Sequence, residues 1–329
     1  MLTRRLFFLA GAIGGVHATA TAQESRASSS DRRPSELVVR VLDVGQGDAI
    51  YIANGPSKAL IDGGPDPARL GYLLDSLRLN DTTIDVVILS HPHHDHHGGL
   101  RELFRSSRRI RVRFFFENQD AFPTVALREL RDSIASRVGR GELVYRDTDD
   151  PCNDGRPLCT ITMRGGATLH VMRPAPRARQ ANDRSAPVKL VGPDSASFTM
   201  WLAGDGEREA LRWFDVGADY DVHPGMRVNV LKADHHGSCN GVTSRYLRLT
   251  NADWIVVSLG RVNEYGHMHA QAKTAYARAG KPWYRTDQNG TITIRSPGRP
   301  GSGYTIHPSR GGPSTNGGSD RRSRQAACR

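Results

Sequence analysis

Between His91 and Gly99 the chain reads His-Pro-His-His-Asp-His-His-Gly-Gly, so that five of its thirteen histidines and one aspartate fall within seven positions. Imidazole nitrogens and carboxylate oxygens are the ligand types that bind zinc, manganese and similar divalent cations once deprotonated. In the spacing His91-x-His93-x-Asp95-His96, three imidazoles and one carboxylate are offered to a cation. His94 and His97 fall outside that spacing and read as solvent-exposed or as hydrogen-bonding neighbours of the ligands. A histidine-rich polar tract without a specific role is the competing reading. The fixed place of Asp95 and the apolar run Ile84-Asp85-Val86-Val87-Ile88-Leu89 just before the cluster favour a site where a buried strand ends in a loop. Gly98-Gly99 lets the backbone turn tightly there.

Other apolar runs supply the scaffold. Strand-like stretches open it at 37–43, 49–52 and 58–62, and a helix is expected over 68–79 with Leu70, Leu73, Leu74 and Leu77 on one face. A strand at 110–116 and a helix at 124–138 follow the histidine loop. Residues 145–158 read as a polar surface excursion. The second half repeats the logic, with strands near Ile161, at 168–172, 198–202, 228–231 and 254–258, near Trp283 and at 291–294. Helices are expected after Asp205, at 243–249 and near 270–279. This pattern alone supports an α/β or α+β class.

Six motifs occur in order: Leu42-Asp43-Val44-Gly45-Gln46-Gly47-Asp48-Ala49; Leu60-Ile61-Asp62-Gly63-Gly64; Ser90-His91-Pro92-His93-His94-Asp95-His96; Leu202-Ala203-Gly204-Asp205; Leu231-Lys232-Ala233-Asp234-His235-His236-Gly237-Ser238; and Ser258-Leu259-Gly260 with Asn263 and Tyr265-Gly266-His267. Together they resemble the metallo-β-lactamase superfamily, and within it the soluble domain at the C-terminus of ComEC-type competence proteins. The match covers roughly residues 37–295. The resemblance implies a single-domain, four-layer αββα sandwich holding two divalent cations, Zn²⁺ or Mn²⁺. Carried over position by position, His91 and His93 bind one cation, Asp95 and His96 help bind the second, Asp205 bridges them, and His235 completes the second. Asp95 is also expected to act in catalysis. Asp62 orients the ligands, while His236 and Ser238 lie beside them or face substrate. The family's third histidine for the first cation has no clear counterpart. His170 lies in that interval but reads equally well as a strand residue; Asn182 and Ser185 resemble the Asn and Ser of the ComEC-like pattern.

A pair of cations activates water, so no protein nucleophile is required, and Ser90 and Ser238 read as turn and cap residues. His267 is either a proton donor or phosphate ligand facing the leaving group, or, with His269, part of a capped helix start. Met268 stands where the family has Pro. Lys232, Ser238 and Asn263 are further donors for an anionic substrate. The domain resembled is associated with degrading the non-transported DNA strand, which implies a phosphodiesterase or nuclease. Hydrolysis of lactones, thioesters or β-lactams, and a non-catalytic metal-binding module, are the alternatives on the same fold.

Residues 1–22 read as a signal peptide: Thr3-Arg4-Arg5-Leu6-Phe7-Phe8-Leu9 is a twin-arginine pattern, followed by a short apolar stretch and a small-residue Ala20-Thr21-Ala22 site. Export to the periplasm or beyond is the expectation. No other run is long and apolar enough to cross a bilayer. Residues 23–36 form a linker, 37–307 the hydrolase domain, and 308–329 a basic tail expected to be disordered. Formal net charge is +11, but Arg4, Arg5 and the five tail arginines account for much of it. The core is therefore only mildly basic, which permits nucleic-acid binding without demanding it. In an oxidising compartment Cys152 and Cys159 are close enough in sequence to close a small loop. Cys239 reads as a packed or free thiol and Cys328 lies in the tail; without paired Cys-x-x-Cys spacing, a structural zinc site made of these four cysteines is not expected.

Overall fold

The computed structural model describes residues 35–216 and 225–315. The expected signal segment, most of its linker, Cys328 and most of the basic tail lie outside these residues. In chain order the first half runs β1 (Leu37–Val41), β2 (Ile50–Asn54), β3 (Ser57–Ile61), α1 (Pro67–Ser76), β4 (Thr83–Ile88), α2 (His94–His97), β5 (Arg111–Glu117), α3 (Val125–Gly139) and β6 (Val144–Asp147). The second half runs β7 (Leu158–Thr162), β8 (Thr168–Met172), β9 (Val188–Val191), β10 (Thr199–Leu202), α4 (Arg208–Val216), β11 (Val230–Lys232), α5 (Ser244–Thr250), β12 (Trp254–Val257), α6 (Ala270–Arg278), β13 (Trp283–Arg285) and α7 (Thr286–Asn289). The strands β14 (Ile292–Ser296) and β15 (Thr305–Pro308) then return to the first half.

Two mixed sheets result. One has the order β15-β14-β1-β2-β3-β4-β5-β6 and the other β13-β12-β11-β10-β9-β8-β7. Their facing sides interlock through Val39, Ile52, Val86 and Ile88 from the first sheet and Val171, Leu190, Met200 and Val230 from the second. On the outer side of the first sheet, Val87, Leu89 and Phe115 pack under Leu70, Leu74, Leu127 and Leu130 of α1 and α3. On the outer side of the second, Trp201, Leu231 and Ile255 pack under α4, α5 and α6 through Leu211, Phe214, Leu247 and Tyr276. Strands covered on both faces read as unbroken apolar runs, since both alternating sets must be buried. The result is an αββα sandwich, as expected.

Local sequence sets the helix starts. Asp66 accepts a hydrogen bond from the Ala68 amide at 2.9 Å with Pro67 in the first turn of α1, and Thr124 caps α3 through the Leu127 amide. The strands β3 to β6 run parallel, as do β10 to β13. Parallel strands put their loops at one end, the carboxyl end, where sites form in such sheets. Asp62, the histidine loop, Asp205 and His235-His236 follow β3, β4, β10 and β11.

Three differences from the sequence expectations are structural. The segment 188–191 forms an unexpected strand; Lys189 breaks its apolar run, yet that side chain is buried and its ammonium bonds the Gly225 carbonyl. Part of the expected surface excursion is the edge strand β6, closed beyond by a Cys152–Cys159 disulfide. The folded chain also runs past 307, since Ser314 exchanges backbone hydrogen bonds of 2.8 and 3.0 Å with Trp283.

Candidate metal centre

Four side chains from both sheets converge at the strand ends. Asp95, His96, Asp205 and His236 each place a ligand atom within 4.8 Å of all the others. The Asp205 Oδ2 atom is the hub: His96 Nε2 lies at 3.2 Å and His236 Nε2 at 3.3 Å, with His91 Nε2 at 3.8 Å and His235 Nε2 at 3.9 Å. His91 Nε2 also meets His93 Nδ1 at 3.0 Å. Asp95 Oδ2 is 3.1 Å from His236 Nε2.

The other edge of each ring decides which nitrogen faces the centre. His96 Nδ1 lies 2.8 Å from Asp62 Oδ2, which orients the ring and leaves Nε2 inward. His236 Nδ1 lies 2.8 Å from the Ser258 carbonyl, to which only an N–H can bond, with the same result. Asp62 is itself fixed by the Ser90 amide at 2.7 Å and the Ser90 hydroxyl at 2.8 Å. The backbone closes in as well. A Cβ on Gly47 would sit 2.1 Å from the Asp95 carbonyl, so only glycine lets the two loops touch there.

Burial disfavours every charge here, and at Asp205 and His96 mutual attraction overrides it. His236, His96 and His235 hold Asp205 well below the usual carboxylate range against desolvation. Desolvation likewise opposes a charged His96, yet Asp205, Asp62 and Asp95 raise it well above the usual imidazole range. His91, desolvated and facing His96, is pushed well below that range. Against desolvation, Asp205 and Asp48 raise His236 well above that range, and a divalent cation takes the place of the protons that such ligands lose. Buried His96 Nε2 and Asp205 Oδ1 have no hydrogen-bond partner, and all the donors are nitrogen or oxygen. The residues fit a divalent cation.

The expected ligands are not all where the spacing put them. His91, His93, Asp95, His96 and Asp205 are brought together. His236, expected beside the ligands, stands in the four-residue group in place of His235, because its ring is buried and tied to Ser258 while His235 Nδ1 turns to Glu207 Oε1 at 2.9 Å. Asn182 donates to Glu207 at 2.8 Å, and Ser185 accepts from the Asp205 amide at 3.1 Å, so both brace the centre. His170 is bonded between Thr160 and Thr168 on the β7–β8 ladder, as a strand residue. His94 is exposed, but His97 is buried and neither ring nitrogen has a hydrogen-bond partner. Lys232 offers nothing to a substrate: it is fully buried, paired with Asp48 and bonded to the Gly204 carbonyl at 3.0 Å. Ser238 is buried and caps the turn at Asn240. Cys239 is disulfide-bonded rather than a free thiol.

A cleft of about 650 Å³ opens over the centre, lined by His93, Asp95, His235, His236 and His267 and rimmed by Phe122 and Tyr265. His267 is buried and its Nδ1 has no partner. Desolvation, with His236 and His235 nearby, lowers its pKa to about 2, so it meets the cleft as a neutral ring rather than an imidazolium donor. Asn263 does not face substrate with its whole amide; it holds this loop, accepting from the His267 amide at 2.7 Å and donating to the His267 and Gly260 carbonyls. Met268 is buried, and His269 precedes α6 with its ring bonded to the Cys239 amide.

Asp48, Glu207 and Gln46 are site residues that the motif spacing did not single out. Asp48 sits in the first motif, where a buried acid directly before a strand was the available signal. It lies 3.4 Å from His236 Nδ1. Gln46 lines the cleft with an unpartnered amide nitrogen.

A two-sheet sandwich with imidazoles and carboxylates gathered at its strand ends is an arrangement that can hold a divalent cation. A family model for the metallo-beta-lactamase superfamily matches residues 42–108. ComE operon protein 3 of Bacillus subtilis (strain 168) is 26% identical over 299 residues, covering 83% of this chain and 35% of that protein. Recombination protein 2 of Haemophilus influenzae is 26% identical over 236 residues, covering 70% of this chain and 25% of that protein. The chain spans about a third or less of the length of these curated relatives. The metallo-beta-lactamase fold protein YhfI from Bacillus subtilis has a similar structure, with a TM-score of 0.50 at 14% identity, covering 80% of this chain and 100% of that one. The chain is thus similar to the metallo-beta-lactamase superfamily over residues 42–108, to ComE operon protein 3 over most of this chain, and to a metallo-beta-lactamase fold protein in structure.

Proposed function

We propose that the protein is an exported phosphodiesterase of the nuclease type, working with two divalent cations, Zn²⁺ or Mn²⁺. The convergence of Asp95, His96, Asp205 and His236 beneath an open cleft carries this reading. Bound there, such a pair supplies Lewis acidity that lowers the pKa of water and offsets charge on phosphoryl oxygens. The protein's own groups do the positioning. Asp205 presents one oxygen to both sets of imidazoles, Asp62 and Ser258 lock ring orientation, and the neutral His267 offers a hydrogen bond to substrate. No side-chain nucleophile competes: Ser90 is buried and bonded to Asp62, and Ser238 is a buried cap.

A phosphodiester is favoured over a lactone by the aromatic lining, since Tyr265 is 56% exposed and Phe122 also lines the cleft, where bases can stack. The name Recombination protein 2 points to nucleic acid in the same direction. The Cys152–Cys159 disulfide supports an oxidising location. Among the described residues no helix is long and apolar enough to cross a membrane.

Purified protein loaded with Mn²⁺ or Zn²⁺ should hydrolyse bis-p-nitrophenyl phosphate and plasmid DNA but not a lactone panel. His93→Ala and Asp205→Asn should each lower the rate at least about 100-fold, beyond the loss typical of outer metal-site partners. Turnover of a lactone with DNA untouched overturns the substrate class. No turnover by metal-loaded protein overturns the enzyme reading in favour of a binding module.

A further inference from the structure

We infer that the groove between α5 and α6 binds the sugar–phosphate backbone of a nucleic-acid strand that extends beyond the metal cleft, with Arg248, Arg278 and Lys281 as its phosphate contacts. That the occupant is nucleic acid rests on the phosphodiesterase reading; the charge of the groove does not. The groove measures about 730 Å³ and is lined by both helices and by Asn251 and Lys281 beyond their ends. It shares no lining residue with the cleft over the metal centre.

Charge in the groove is of one sign, since Arg248, Arg278 and Lys281 line it and no acidic residue does. Arginines elsewhere on the surface are matched by acids. Arg101 lies 3.0 Å from Glu129, Arg113 3.1 Å from Asp85, and Arg245, also on α5, 3.2 Å from Asp215. Arg248 and Arg278, by contrast, are exposed and have neither an ion pair nor a hydrogen bond among the described residues. Lys281 uses one donor on the Asn251 side chain at 3.1 Å and keeps two. Guanidinium groups left uncompensated favour phosphate, which they grip through two parallel N–H···O bonds.

Shape selects a chain over a flat surface. Ala270, Ala275 and Ala279 stand where longer side chains would fill the space, so the cations border a hollow that the plane of a membrane meets poorly. Helix α6 has 9 residues, about 13 Å at 1.5 Å per residue. That length matches about four phosphates at the 3.4 Å spacing along one strand of a duplex. Placement ties the groove to the cleft. Strands β11 and β12 run parallel, and α5 and α6 follow their carboxyl ends, where the metal centre lies. Helix α5 starts at Ser244, shortly after His236, and α6 at Ala270, shortly after His267; both histidines line the cleft. His269, which leads into α6, has its Nε2 3.1 Å from the carbonyl of Tyr265, another residue of the cleft lining. A strand whose scissile phosphate sits in the cleft therefore meets a cationic path along the outer helices.

Metal-loaded protein is titrated into a fluorescently labelled, phosphorothioate-linked single strand of about 20 nucleotides, longer than one site of this kind, at several salt concentrations. Hydrolysis of bis-p-nitrophenyl phosphate is followed in parallel. Arg248→Ala combined with Arg278→Ala should weaken strand binding about 10-fold and flatten the dependence of log affinity on log salt by about 1.4, two contacts at about 0.7 each. Arg248→Lys with Arg278→Lys should keep most of the affinity, since the charges remain. Turnover of bis-p-nitrophenyl phosphate, which has no chain to extend from the cleft, should be equal in all three proteins. Unchanged affinity and slope in the alanine variant, or no strand binding by wild type, overturns the inference. So does an alanine variant that keeps the strand but loses vesicles of phosphatidylglycerol and phosphatidylcholine, which assigns the groove to an anionic membrane instead. A wild type that hydrolyses nothing, with the alanine effect on the strand intact, supports the groove while overturning the phosphodiesterase reading.

Discussion

At the scale of residues, the centre depends on which edge of each ring is occupied. Asp62 shows this best, because one buried carboxylate fixes the His96 ring, the Ser90 hydroxyl and the Ser90 amide. Asp62 has a left-handed backbone, φ 58°, which asparagine tolerates well, so Asp62→Asn isolates the chemistry from the fold. Its charge and one acceptor are lost, and metal affinity measured by calorimetric titration should fall about 10–100-fold with little change in unfolding midpoint. Unchanged affinity would leave Asp62 without the orienting role. The spacing from His91 to His96 was legible because these ligands share one loop. Adjacent His235 and His236 were not separable, since only backbone conformation and the Ser258 and Glu207 contacts assign their rings. The burial of Lys232 was illegible for a similar reason: its partner Asp48 is remote in sequence.

At the scale of elements, helices and strands with unbroken apolar faces were readable. The helix at α1 declares itself by Leu70, Leu73 and Leu74, and β4 by its valines and isoleucines. The exception is β9, where a lysine stands in a fully buried strand. Desolvation lowers the Lys189 pKa from its ordinary 10.5 to about 8. Below pH 8 the ammonium is charged in both folded and unfolded chains, and the fold bears the full cost. Between about pH 8 and 10.5 only the unfolded chain holds the proton, so stability rises with pH. Lys189→Met should therefore raise stability at pH 7 by about 1–3 kcal/mol. That advantage should shrink in urea unfolding curves taken from pH 8 to pH 10. A gain that does not change with pH would refute the desolvation account.

At the scale of the molecule, ordered motifs were enough to name the two-sheet sandwich, whereas the strand pattern alone was not, because the pairings are non-local. Strand β1 lies between β2 and β14, so Val39 faces Ile52 on one side and Ile294 on the other. The site likewise exists only when loops from both sheets meet, Asp95 and His96 from one and Asp205 and His236 from the other. The most direct test of that meeting is anomalous diffraction from crystals of the protein grown with Mn²⁺. The expected map has two peaks flanking Asp205, one beside His91 and His93 and one beside Asp95, His96 and His236. A map with no peak at Asp205, or with manganese bound elsewhere on the chain, would contradict it.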